Sequence, residues 1–164
     1  MSAAIRRAGP EDIPEIVRVT NLAYVVEAFC LRGERTDEAD VRTRMGEGLF
    51  LVCEGEPDRL LGSVFLSIAE GRGYLGTLAV DPACQGQGLA QSLVAAVETH
   101  CRAAGCTHLD LSVVNLRREL FPYYAKLGFL PTAVLPFPRA EKVITPLHLV
   151  QMSKALGPGP GESV

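Results

Sequence analysis

The amino-acid sequence predicts an α+β fold, a single domain over residues 1–156 in which helices flank a mixed, mostly antiparallel central sheet. Three observations carry this. Residues 49–54 and 59–70 are β-rich runs joined by Gly-Glu-Pro-Asp, the pattern of an antiparallel hairpin. Residues 74–80, 89–104 and 107–114 then read as strand, helix, strand, which makes one right-handed crossover. Two more strands follow it. The chain has 164 residues, 48% of them apolar, long enough for a core that needs neither a metal nor a disulfide.

In chain order, residues 4–8 read as a short strand, and Pro10, Glu11 and Asp12 open a helix whose apolar positions Ile13, Ile16, Val17, Val19 and Ala23 carry it to about Phe29. Residues 31–37 are a charged loop, followed by a second helix to Met45. After the hairpin, Tyr74 to Val80 is an almost unbroken apolar run, as expected for a strand buried on both faces. Leu89, Leu93, Ala96, Val97, Cys101 and Ala104 form one stripe of a long helix closed by Gly105. Leu109, Leu111 and Val113 alternate in the next strand, and a short helix is predicted over 117–127, ending at Gly128. The last strands are expected near 129–134 and 147–154. Between them Pro136, Pro138 and Pro146 predict a mobile loop, and the Gly/Pro-rich residues 157–164 predict a disordered tail.

Charge and patterning exclude several classes. With 16 Lys+Arg against 19 Asp+Glu the net charge is −3, which offers no basic stripe to nucleic acid. No apolar stretch approaches the ~20 residues that span a bilayer, so no membrane segment is expected. The N-terminus shows no secretory signal, and the five cysteines sit in apolar periodic segments, so a cytoplasmic, reducing location is expected. His100, Cys101, Cys106 and His108 lack zinc-ligand spacing, and no metal is expected. A dinucleotide site fails too. Gln91 stands where a third glycine is needed, and Asp110 lies inside the next strand rather than at its tip.

The segment Gln85, Gly86, Gln87, Gly88, Leu89, Ala90, Gln91 lies between a buried strand and the first turn of a helix. Glycine at 86 and 88 lets a ligand approach the main chain, while the first-turn amides have no intrahelical partner and carry the positive end of the helix dipole. A diphosphate would be held there without a lysine. A tight turn alone would also explain the glycines.

Leu-Ala-Val-Asp-Pro before this segment, Gln-Gly-Gln-Gly-Leu-Ala itself, Asn-Leu at the end of the next strand, and Tyr-Ala-Lys-Leu-Gly-Phe after it resemble the Gcn5-related N-acetyltransferase family, specifically over residues 74–129. The resemblance implies acetyl-CoA as cosubstrate. It puts Gln85, Gly88 and Ala90 at the family's phosphate motif, backbone groups of Leu78 and Val80 against the pantetheine arm, and an N–H near Leu78 or Ala79 against the oxyanion, presented by a strand bulge. It implies that Asn115 holds pantetheine or acceptor groups and that Tyr124 protonates the departing thiolate. A phenol of pKa ~10 beside a thiolate of ~8.5 suits that task.

The acceptor would be a primary amine of a small molecule or peptide, and its ammonium must lose a proton before attack. Family members often carry a Glu on the strand here occupied by Tyr74 to Val80; this chain has none. Glu70 and His148 are therefore the candidate bases, with Glu119 a third. A thiol intermediate on Cys84 is not expected, since no basic neighbour would activate it. The alternative reading is a non-catalytic acyl-CoA-binding module on the same fold. Exposed strand edges near the C-terminus are compatible with a homodimer.

Overall fold

The computed structural model describes residues 4–157, so the predicted tail falls, apart from Gly157, outside the described residues. Seven strands form one sheet in the order β1-β2-β3-β4-β5-β7-β6, and every neighbouring pair is antiparallel except β4–β5. The strands are β1 (Ile5–Arg7), β2 (Leu49–Glu54), β3 (Leu60–Ala69), β4 (Arg72–Val80), β5 (His108–Val114), β6 (Leu130–Leu135) and β7 (Leu149–Ala155). The helices are α1 (Ile13–Tyr24), α2 (Glu38–Glu47), α3 (Leu89–Ala103) and α4 (Leu120–Lys126). The architecture is that expected from the sequence.

Both faces of the sheet are covered, and β2 shows why its residues are apolar without alternation. Phe50 and Val52 face a cluster with Ile13 and Ile16 of α1 and Val41 of α2, whereas Leu51 and Cys53 face the larger cluster containing Leu93, Val97 and Cys101 of α3. Adjacent strand residues point to opposite faces, so a doubly covered strand is apolar throughout. The helix α3 lies directly on β4. A Cβ placed on Gly73 would stand 2.3 Å from Cys101 Sγ, so only glycine permits that approach. An ion cluster fastens α3 to β7, with Lys154 Nζ 3.0 Å and Arg102 Nη2 3.2 Å from the Glu98 carboxylate.

Three boundaries and one connection depart from the sequence expectation. The first helix was expected to reach Phe29, but α1 stops at Tyr24 and a 3-10 turn, Val25–Glu27, follows. Val25 is 65% and Phe29 54% exposed, so the apolar pattern there continues without a core to receive it, and the β-branched pair Val25 and Val26 favours a helix weakly. The helix expected from residue 117 begins at Leu120, because Pro122 lacks an N–H and fits only within a first turn. The strand expected from Tyr74 begins at Arg72, since Glu70 and Gly71, at φ +52° and +75°, make the tight hairpin turn themselves. The proline-interrupted connection after β6, expected to be mobile, contains a 3-10 turn, Ala140–Lys142. It is tied to the loop after α1 by hydrogen bonds from Arg32 N to Lys142 O (2.8 Å) and from Ile144 N to Cys30 O (2.9 Å).

Candidate active site

The parallel strands β4 and β5 pair at only three positions, Arg72 with His108, Gly73 with Leu109 and Tyr74 with Asp110. Beyond Tyr74 they part. At the paired end Arg72 grips Asp110 with two hydrogen bonds of 2.8 Å, and Ser153 adds a third at 2.6 Å. At the open end β4 bulges. Its register against β3 slips between Ser63 and Phe65, and Thr77 adopts φ +42°. A β-branched residue in the left-handed region is strained, and the sealed Thr77 hydroxyl also lacks a partner among the described residues. This is the bulge that the family resemblance implied. On its other side β5 stays paired with β7 along its whole length, so no strand fills the gap.

A cavity of about 1380 Å³ occupies this gap and runs from the β4–α3 loop to the loop after α1. Leu75 to Leu78 and Val80 line one wall, Leu111 to Val114 the other. Ala79 is buried beside that wall.

The β4–α3 loop is built on Asp81. Its carboxylate accepts from Ala83 N (3.0 Å) and from Arg18 Nη1 (3.1 Å), while Arg18 is also held by Glu15 and by Leu60 O. Those contacts hold the Asp81 carboxyl below the usual carboxylate range, the Ala83 amide first and then Arg18. Gln85 donates its side-chain amide to Val80 O at 3.4 Å, folding the loop back on the end of β4. Gly86 and Gly88 stand at φ +82° and +81°, and a Cβ on either would meet open space. Among the described residues, the amides from Gly86 to Gln91 find no hydrogen-bond acceptor. Six unspent N–H groups at the positive end of a fifteen-residue helix, around an open cradle, fit a diphosphate.

Across the cavity α4 presents Tyr124, 7% exposed, its ring edge-on to Tyr123 (5.2 Å) and Phe129 (5.8 Å). Burial, and to a lesser degree the Tyr24 and Tyr123 phenols, push its pKa far above the usual value, so the group stays protonated. Its hydroxyl has no partner among the described residues. Asn115 ends β5 but does not line the cavity. Its Oδ1 accepts from His148 N (2.8 Å) and its N–H donates to His148 O (2.9 Å), which locks the ends of β5 and β7 together.

The proposed bases are not brought to the cavity. Glu70 sits at the exposed tip of the β3–β4 turn, beyond the paired end of the gap, because the hairpin closes there and not at Tyr74. His148 precedes β7 and is no part of the lining. Glu119 is 60% exposed and bound to Arg117 Nε at 3.0 Å. A different carboxylate is present instead. Glu27, 7% exposed, lines the cavity, and its Oε2 accepts from Arg117 Nη1 at 2.9 Å. Burial raises the Glu27 pKa, against the opposing pull of Arg117 and Arg35. Tyr24 lies beside it, its own pKa pushed up by burial to about 12. The sequence carries a signal for Glu27: it is a single acid inside the apolar run Ala-Tyr-Val-Val-Glu-Ala-Phe, and in a continuous helix it falls on the same stripe as the buried Ile16.

A sheet opened between two parallel strands, with free amides at the start of the helix beneath it, is built to receive an extended ligand that carries a diphosphate. The chain belongs to the acetyltransferase (GNAT) family, whose model matches residues 17–129. It is 32% identical over 138 residues to the mycothiol acetyltransferase of Nocardia farcinica, covering 77% of this chain and 45% of that protein. The chain thus spans less than half the length of the curated relatives it matches. Among solved structures, Ard1 from Thermoplasma volcanium shares the fold with a TM-score of 0.77 at 21% identity, covering 96% of this chain and 99% of that one. PaiA N-acetyltransferase from Thermoplasma acidophilum, solved in complex with coenzyme A, gives 0.76 at 19%, covering 94% and 99%.

Proposed function

We propose that this chain transfers an acetyl group directly from acetyl-CoA to a primary amine. The observation that carries the reading is the set of unsatisfied amides from Gly86 to Gln91 at the mouth of the β4–β5 gap. Loop residues Gln85 to Gln91 would hold the diphosphate, with Leu89 and Ala90 offering first-turn amides. The unpaired edge of β4 at Leu78 and Val80 would hydrogen-bond the pantetheine amides as a neighbouring strand does. Beside the Thr77 bulge, an N–H of Leu78 or Ala79 would meet the developing oxyanion, and Tyr124 would give its proton to the departing sulfur. Asn115 supports this by fixing the end of β5.

Five free cysteines support a reducing, cytoplasmic setting. The homodimer would use β6, the outer strand, where Leu130 is 67% and Val134 69% exposed, and sedimentation at increasing concentration checks it.

The test is release of free thiol from acetyl-CoA in the presence of a panel of amines, with Tyr124→Phe alongside. Transfer by the wild type, with kcat lower by roughly 10²–10⁴-fold in the variant and acetyl-CoA affinity unchanged, supports the reading. Tight acetyl-CoA binding without turnover on any amine would favour the non-catalytic acyl-CoA-binding module.

A further inference from the structure

The end of the cavity opposite the phosphate loop carries charges that the transfer of acetyl does not itself require. Arg117 is shared by two carboxylates, Glu27 at 2.9 Å and Glu119 at 3.0 Å. Glu119 is open to water, whereas the Glu27 side chain is only 9% exposed. The second oxygen, Glu27 Oε1, accepts no hydrogen bond from any described residue, and unlike the sealed Ser63 and Thr77 hydroxyls it is open to the cavity. A buried carboxylate with one oxygen free calls for a cationic donor.

A complementary group lies nearby. Arg35 lines the same cavity with its guanidinium 5.2 Å above the Tyr24 ring, and it forms no ion pair with a described residue. Of the other arginines at this end, Arg44 is engaged with Asp40 and Arg139 with Glu141, while Arg32 donates to the Glu141 carbonyl at 3.3 Å. This end therefore offers a buried carboxylate with one oxygen free, and a guanidinium stacked on the Tyr24 ring without an acidic partner among the described residues, each suited to the opposite charge. Space is restricted as well. The 3-10 turn Ala140–Lys142 is fastened over this end by the Leu31–Val143 bridge and by Lys142 Nζ to Glu34 O at 2.9 Å. A short acceptor fits beneath this strap better than an extended chain.

We propose that the acceptor is a small amine bearing its own carboxylate, of the free amino-acid class, with its ammonium on Glu27 and its carboxylate on Arg35. The assignment rests on the acetyl-transfer reading and names the substrate class of that site. Glu27 Oε1 takes one proton from the ammonium, and the freed nitrogen pair forms a bond to the thioester carbonyl carbon as the carbonyl π pair moves to oxygen, whence it returns to re-form the double bond. The C–S bond then breaks, its electron pair leaves on sulfur, and sulfur receives the Tyr124 proton. A second proton lost from nitrogen restores Tyr124, and the proton on Glu27 passes to water. The groups facing Glu27 are Arg117 and Glu119 from the segment before α4, Arg35 and Cys30 from the loop after α1, and Tyr24 from α1 itself.

The experiment measures thiol release from acetyl-CoA with each amino acid, its carboxamide and its decarboxylated amine, for the wild type, Arg35→Gln and Glu27→Gln. Circular dichroism and acetyl-CoA affinity confirm that each variant is folded. At least one amino acid is expected to exceed its carboxamide and amine by roughly tenfold or more in kcat/KM, the worth of one charge-assisted hydrogen bond. Arg35→Gln should erase that preference by raising KM for the acid alone. Glu27→Gln should lower kcat and remove the acidic limb of the pH profile. Turnover that favours carboxamides or amines, or a preference that survives Arg35→Gln, overturns the substrate class while leaving acetyl transfer standing. Acetyl-CoA binding with no turnover on any amine overturns both.

Discussion

Placing a methyl group on Gly73 tests how the α3 helix, and with it the β4–α3 loop, is seated. The new Cβ would lie 2.3 Å from Cys101 Sγ and 3.2 Å from Leu109 Cδ1, where non-bonded heavy atoms prefer roughly 3.5–4.0 Å. Relief requires the helix to withdraw by about 1.2–1.7 Å or the fully buried thiol to leave its rotamer. Overpacking of this kind costs about 1–3 kcal/mol, and the full burial of both struck side chains argues for the upper half of that range. Urea denaturation of Gly73→Ala should show a lower midpoint with an unchanged m-value. Adding Cys101→Ala removes the atom that is struck, so the double variant should be more stable than Gly73→Ala alone, with a coupling of about 1 kcal/mol or more. A Gly73→Ala protein within about 0.5 kcal/mol of wild type, or additive behaviour of the pair, would refute the close approach. Because α3 starts at the loop, acetyl-CoA affinity should fall in Gly73→Ala and recover in the double variant.

Three further outcomes follow from named contacts. The Asp12 carboxylate accepts from both Arg6 terminal nitrogens at 2.8 Å and from Gly9 N at 2.8 Å, and the Arg6 bond foremost lowers its pKa. A depressed carboxyl pKa stabilises above its unfolded value of ~3.9 and loses that contribution as pH falls through the folded value, so Asp12→Asn should cost about 1–2 kcal/mol at pH 7, and the difference should shrink as pH falls below ~3.9 and through the depressed folded value in thermal melts. Alkylation of the native protein should mark Cys84 alone, since Cys30, Cys53, Cys101 and Cys106 are buried and burial pushes the Cys101 thiol to about 12; acetyl-CoA should slow it, because Cys84 lines the cavity. With burial raising Glu27, the acidic limb of kcat/KM should lie above the ordinary carboxylate value of ~4.3 and vanish in Glu27→Gln.

The glycine loop before α3 was legible because its structure is local: two glycines, a strand before and an amphipathic helix after. The sheet was legible for the same reason, through alternation in β5 and unbroken apolar runs in β2 and β4. What escaped is non-local. Thr77 gives no sign of φ +42° in its own identity, since that conformation is imposed by the mismatch between β3 and β4. Glu27 and Arg117 are 90 residues apart, and their ion pair depends on α1 ending at Tyr24. Glu70 closes the β-rich run in the sequence and turns out to sit in the tight turn after β3, and which end of the gap that turn serves depends on where β4 and β5 pair. The closed loop after β6 follows from hydrogen bonds to residues 30–34 that no proline pattern encodes.

The central claim, that the amides at the start of α3 bind the diphosphate of acetyl-CoA, is tested most directly by calorimetric titration of Gly88→Ala beside Gly105→Ala. Both glycines stand at φ +81° with open space around them, one at the start of α3 and one just beyond its end. Alanine therefore introduces the same backbone strain, about 1–2 kcal/mol, in each. Equal losses of thermal stability, with acetyl-CoA affinity reduced at least about tenfold in Gly88→Ala alone, are what the account predicts. Wild-type affinity in Gly88→Ala, or an equal loss in Gly105→Ala, would contradict it.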